Sequence, residues 1–132
     1  MLLLDTNIVS YWMRGDQLII DRIKCYRPCD LSISTITLAE IHYGIEKSPV
    51  KKKERREKID QIKIHLEIYA FDEESAYQYA SVRSYLEKKG IPISERDLQI
   101  ASIALANQFD VVTHNTKEFQ RIPQLTVHDW KE

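Results

Sequence analysis

Cysteine is nearly absent from this chain. Cys25 and Cys29 are the only two in 132 residues, and no second Cys or His pair lies near them to complete a zinc site. A disulfide scaffold is therefore excluded, and the spacing predicts two reduced, structural thiols one turn apart on a helix. Glycine and proline are also sparse, at 3 and 4 residues, and no repeat, linker or low-complexity segment interrupts the chain. Neither sign of charge dominates: 19 Lys+Arg stand against 20 Asp+Glu, so any affinity for nucleic acid must come from a local patch. Long apolar runs are missing as well. Leu2-Leu3-Leu4 is cut short by Asp5, too soon for a signal peptide, and no later run reaches the roughly 20 residues of a membrane span. These absences point to a cytoplasmic protein, and 132 residues suit one domain, 1–132, with a core of its own.

What is present is an alternation of short apolar runs with longer helical patterns, which predicts an α/β fold of parallel strands joined by crossover helices. Leu2 to Leu4 read as a buried strand ending at Asp5-Thr6-Asn7, followed by a short helix through Tyr11, Trp12 and Met13 that stops at Gly15. A second helix is expected from Asp16 to about Tyr26. Leu31 to Ser34 form the next predicted strand, with Ser34 or Thr35 capping a helix that carries Leu38, Glu40, Tyr43 and Ile45 and ends at Lys47-Ser48-Pro49. From Val50 to Ile68 runs a highly charged helix with a narrow apolar stripe at Ile59, Ile62 and Leu66, expected to project from the body. Ile68 to Phe71 is strand-like. Asp72 can cap a helix closed by Gly90 and Pro92, and Ser94-Glu95-Arg96-Asp97 resembles a capping box opening a helix through Ala106. Asp110 to Thr113 and Leu125 to Val127 complete the predicted strands.

Four polar residues stand out on this framework. Glu40 shares its helix face with Ile36, Tyr43 and Gly44, and Asp97 is followed at matching offsets by Ile100, Ala101, Ala104 and Leu105, so both acids should point inward. Asp5 and Asn115 follow candidate parallel strands, and ligand crevices in open α/β sheets lie beyond the carboxyl ends of the strands. All four can therefore converge, and buried carboxylates that converge want a cation. Each residue also has an ordinary reading. Asp5 could cap the helix at Thr6, and Asp97 could be the third position of a capping box. Glu40 could pair with a distant Lys or Arg, and Asn115 could belong to a turn after a strand.

Leu3-Leu4-Asp5-Thr6-Asn7, the segment Ser34 to Gly44 around Glu40, Asp97-Leu98-Gln99-Ile100-Ala101 and Val112 to Phe119 together resemble the PIN-domain toxins called VapC. The resemblance runs the whole length, including Trp130, and is greatest to the branch of endonucleases specific for initiator tRNA, which cut the anticodon loop. It implies a three-layer α/β/α sandwich with a mainly parallel sheet, Mg²⁺ or Mn²⁺, a homodimer, and a VapB-type antitoxin that masks the site. Asp5, Glu40 and Asp97 match the family's acidic triad. Asn115 stands where many relatives carry a fourth acid and others an Asn, and Thr6 matches the hydroxyl that follows the first Asp. Asn7 matches too.

Phosphodiester cleavage needs an activated oxygen nucleophile and stabilisation of the charge that builds on the phosphate, and a hard divalent cation supplies both. Asp5 and Asp97 are the expected metal ligands, with Glu40 as base or as a partner of metal-bound water and Asn115 offering its carbonyl. The implied function is a metal-dependent endoribonuclease, the toxin of a type II toxin–antitoxin pair. Lys52, Lys53 and Arg56 are candidate RNA contacts beside Thr6, although a charged helix face is often simply solvated. Tyr11, Trp12, Tyr43 and Phe119 could stack on bases, with core packing as the alternative, and His42 and His114 adjoin the motifs. Two other classes remain open. A non-catalytic PIN-fold module binding RNA or protein would be favoured by a missing acid, and none of the triad is missing. A haloacid-dehalogenase-like phosphatase wants a second Asp two residues after the first, and Asn7 occupies that position.

Overall fold

The structure, a computed structural model, describes residues 1–131. Five short strands, Leu2–Leu4 (β1), Leu31–Ser34 (β2), Glu67–Tyr69 (β3), Asp110–Val112 (β4) and Val127–His128 (β5), form one sheet in the order β3-β2-β1-β4-β5. Every neighbouring pair is parallel, with Leu3 opposite both Ser32 and Val111. Because successive side chains point to opposite faces, the apolar run of β1 serves two cores. Leu4 and Val112 pack with helices Thr6–Met13 (α1), Gln17–Ile23 (α2), Thr35–Lys47 (α3) and Lys52–Lys63 (α4). Leu3 and Val111 pack with Glu73–Lys88 (α5), Glu95–Asn107 (α6) and the single turn Thr116–Phe119 (α7). This is the expected three-layer α/β/α sandwich.

Local chemistry starts the helices where the sequence places them. Asp16, Ser34, Asp72 and Ser94 each accept a backbone N–H of the first turn through a side-chain oxygen, which satisfies one of the orphan donors there. Gly15 and Gly90, at φ +78 and +69, end α1 and α5 in the left-handed region that glycine enters without a Cβ clash.

Several expectations are corrected. Cys25 and Cys29 do not share a helix, because α2 ends at Ile23 and Arg27, before Pro28, is held extended, so Cys29 falls in a short 3-10 turn, Pro28–Asp30. Both thiols are free and exposed, not structural. The charged helix does not project: α4 ends at Lys63, buries Ile59 and Ile62 and lies against α1 and α3, while Leu66 is buried in the connection that follows it. Arg55 on α4 donates to the carbonyls of Gly44, Ile45 and Ser48, satisfying the end of α3, while Lys58 donates to Met13 O at the end of α1. The last edge strand lies slightly later than predicted, at Val127–His128, and the second helix ends three residues early. Tyr43, expected on an apolar face, is 62% exposed, and Phe119 is fully buried.

Candidate active site

Strand order changes direction at β1, whose crossover leads to β2 on one side while β4 lies on the other. At such a switch point the connections leave a crevice beyond the carboxyl ends of the strands. Asp5 stands at the end of β1, its amide extending the ladder to Val112 O at 2.9 Å. Its side chain is buried, with Oδ1 accepting from Thr6 N at 2.8 Å and Oδ2 from Thr113 Oγ1 at 2.7 Å. Capping thus occupies one oxygen and a buried hydroxyl the other. Burial pushes the Asp5 carboxyl above its ordinary range even against these two bonds, and the charges of Glu40 and Glu118 add to the rise.

Glu40 comes from α3, one turn after Thr37. The Thr6 hydroxyl lies 3.1 Å from Thr37 Oγ1 and donates to Glu40 Oε1 at 2.6 Å, which ties the first acid's neighbour to the second acid. The other Glu40 oxygen lies 3.7 Å from Arg96 Nη1, and the side chain is 24% exposed. The core of α3 is made by Thr37, Ile41 and Ile45, so Glu40 flanks that face and opens on the crevice rather than on apolar packing. A salt bridge with Arg96 does exist, but at this distance and exposure it is weak.

Asp97 opens α6. Ser94 Oγ accepts from its backbone N–H at 3.3 Å, so the cap is real, while the Asp97 carboxylate turns toward the end of β4. Asn115 Nδ2 donates to Asp97 Oδ2 at 3.0 Å and to Glu118 Oε2 at 3.3 Å, and Asn115 N donates to Thr113 Oγ1 at 2.9 Å. The amide nitrogen of Asn115 therefore faces the acids, where its carbonyl had been expected. Asn7 bridges the two strand ends, donating to Thr113 Oγ1 and accepting from His114 N, each at 3.4 Å.

Electrostatics single out one pair. Burial raises the Asp97 carboxyl to about 7, helped by its hydrogen bond with Glu118 and the charge of Asp5, whereas that same bond holds Glu118 below its ordinary value. One proton is therefore shared, mostly on Asp97, and the titration belongs to the pair. Glu118 and Thr113 were not recognised as site residues in the sequence. Glu118 lies one helical turn after Asn115, a spacing that could have flagged it, while Thr113 betrays itself only by being a buried hydroxyl at a strand end.

The basic cluster divides. Lys52 and Arg56 both pair with Glu46, and Lys53 is exposed with no carboxylate partner among the described residues. None of the three bonds to a site residue. His114 Nδ1 lies 3.1 Å from Asp129 at the rim, and His42 is exposed on α3.

Among the described residues no three His, Cys, Asp or Glu side chains stand in ready-made ligating geometry. The donor chemistry nevertheless suits a hard divalent cation. The ligand atoms of Asp5, Glu40 and Asp97 are carboxylate oxygens, and burial, aided by the charges of the neighbouring acids, raises Asp5 and Asp97 so that a cation would displace a proton there.

A family model described as the PIN domain matches residues 2–125. Ribonuclease VapC2 of Rickettsia felis is 38% identical over 130 residues, covering 97% of this chain and 96% of its own. The chain belongs to the VapC branch of the PIN-domain family. Another VapC, the tRNA(fMet)-specific endonuclease of Salmonella typhimurium, is 31% identical over 128 residues, again covering 97% of this chain and 96% of its own. In three dimensions the VapC fold superposes with a TM-score of 0.91 on a chain of the Rickettsia felis VapBC2 complex bound to promoter DNA, at 37% identity and 98% coverage of each. The expected family and fold are both borne out.

Proposed function

We propose that this VapC-type protein is the ribonuclease toxin of a VapBC toxin–antitoxin pair, and that it cuts single-stranded RNA with a divalent ion, Mg²⁺ or Mn²⁺, held by Asp5 and Asp97. The observation that carries the reading is the meeting of Asp5, Glu40, Asp97 and Asn115, from four separate segments, at the switch point of the sheet. The anticodon loop of initiator tRNA is the proposed substrate, supported by likeness to the Salmonella typhimurium enzyme. A VapB-type antitoxin and a homodimer complete the proposal, the former supported by likeness to the Rickettsia felis VapBC2 complex.

When bound, the cation supplies Lewis acidity at the phosphate and a water of lowered pKa. Asp5 is presented by the rigid end of β1 with both oxygens already oriented by Thr6 and Thr113, so little reorganisation is needed. Thr6 holds Glu40 in reach of the crevice, where its other oxygen, only weakly paired with Arg96, can take a proton from the attacking water. Asp97 shares a proton with Glu118, and loss of that proton frees it for coordination while Glu118 stays charged beside Asn115. Asn115 orients both carboxylates through one amide group.

The test is cleavage of a folded total tRNA pool by purified, antitoxin-free protein with Mg²⁺ or Mn²⁺, with EDTA and Asp97→Asn as controls. Discrete fragments from the initiator anticodon loop, lost in both controls, are the expected result. Cuts in another RNA would overturn the substrate, and absence of both cleavage and metal binding would favour a non-catalytic RNA- or protein-binding module.

A further inference from the structure

Beside the carboxylates, α1, α3 and α4 enclose a groove that core packing does not account for. Its inner part is a cavity of about 330 Å³ with Thr6 and Glu40 at one end and Met13, Ile41 and Ile45 along its walls. Arg14, Arg55 and Lys58 line both this cavity and an outer hollow of about 450 Å³ that continues past Val50 to Lys51 and Glu54. No carboxylate pairs with Arg14, Arg55 or Lys58 among the described residues. Their bonds go to main-chain carbonyls, and although Glu40 and Glu54 line the same groove, neither pairs with these three cations.

Gly44 opens on the same cavity. A glycine inside a 13-residue helix weakens that helix, so something should require it. Its backbone is not in the left-handed region, and apart from its chain neighbours and its own helix's backbone no atom lies within 4 Å of where a Cβ would stand. Neither strain nor close packing demands the residue. What the missing side chain does is leave the cavity open.

We propose that this cavity seats the base of the nucleotide next to the scissile phosphate, with the following phosphate on Arg14 and Lys58. The proposal rests on the ribonuclease reading and refines it. Apolar walls accept the faces of a base, and the volume lies in the range of small-ligand sites. The inner end is formed by Thr6 and Glu40, which serve the phosphate, so a strand leaving the reaction centre enters the cavity directly. Three cations without a carboxylate partner, against two acids along the groove, favour a polyanion over an apolar peptide. Only an unpaired base can leave its stack to enter, which confines cleavage to loops and single strands.

Gly44→Leu, Gly44→Ala and Arg14→Ala test this with a fluorescein-labelled RNA stem-loop bearing the initiator anticodon loop. Both Gly44 variants should melt at or above the wild-type temperature, since each residue is a better helix former and meets open space. Gly44→Leu should raise KM about tenfold or more with much less change in kcat, Gly44→Ala less, and Arg14→Ala should flatten the salt dependence of binding by about one unit of slope. The same substitutions in an Asp97→Asn background, read by fluorescence anisotropy of the uncleaved stem-loop, report on the seat independently of catalysis. A folded Gly44→Leu that binds and cleaves like wild type overturns the proposal. So does a Gly44→Leu that handles RNA normally but escapes inhibition by purified VapB-type antitoxin, because the groove would then be a protein's. Binding that responds to Gly44 in a wild-type protein that cuts no RNA would sink the ribonuclease reading and leave the seat standing.

Discussion

Asp97→Asn is expected to stabilise the metal-free protein at pH 8 while abolishing its stabilisation by Mg²⁺. The folded-state carboxyl of Asp97 titrates at about 7 against an ordinary 3.8, so the folded chain binds this proton more tightly than the unfolded one. Stability contributed by the proton is therefore present below pH 4 and is lost as pH rises toward 7. A displacement of that size corresponds to about 4 kcal/mol at most. Asp97 is only half-buried, and Glu118 moves the opposite way, so about 1–2 kcal/mol is the reasonable expectation after solvent screening. Asn is nearly isosteric with Asp, can still accept from Asn115, and can donate to Glu118, so both hydrogen bonds survive while the charge does not. In EDTA at pH 8 the variant should melt about 3–10 °C above wild type, and at pH 4 the two should coincide. Adding Mg²⁺ to 100 times its Kd should raise wild-type stability by about 2.7 kcal/mol and leave the variant unchanged. Differential scanning calorimetry at both pH values, with and without Mg²⁺, checks all of this. A metal-free wild type that melts identically across the pH range, with a variant that tracks it, would falsify the shared-proton account of the site.

Thr113→Val should cost about 1–3 kcal/mol by urea titration, because buried Asp5 loses a donor and the amides of Asn7 and Asn115 lose an acceptor. The loss should be larger at pH 8 than at pH 4, since only the ionised carboxylate needs the hydroxyl so strongly, and equal losses would refute that cause. Ile59→Ala should destabilise by about 2–5 kcal/mol, as expected of a fully buried side chain; a cost near zero would mean that α4 is not docked. Lys53→Glu should weaken RNA binding and reduce its salt slope, because Lys53 is the member of the basic cluster not paired with Glu46; an unchanged anisotropy titration removes the cluster from the RNA path.

Much of the fold was legible because its signals are local. Ser34, Asp72 and Ser94 cap the helices that follow them through bonds spanning three residues, and such bonds depend only on neighbouring sequence. The apolar run of β1, too short for a membrane and too continuous for an exposed edge, already implied a strand buried on both faces. The expectation for α4 missed because a charged helix with a narrow apolar stripe looks solvated. Its docking depends on carbonyls at the ends of α1 and α3, which no window of sequence reveals. The Cys25 and Cys29 expectation missed because the helix period was carried past the point where Pro28 constrains the chain.

By itself, then, the sequence determined the order of the strands and longer helices, the caps, the α/β class and the identity of Asp5, Glu40, Asp97 and Asn115 as residues in want of an explanation. Each of those follows from propensity, period or the cost of an acid among apolar neighbours. Only the tertiary structure decided which oxygen meets which donor, that Glu118 and Thr113 belong to the site, that Asp97 and Glu118 share a proton, and that Gly44 opens on a cavity. The reason is that these depend on distances between segments 18 to 108 residues apart in the chain, where burial and Coulomb energy are set by packing that local sequence does not encode.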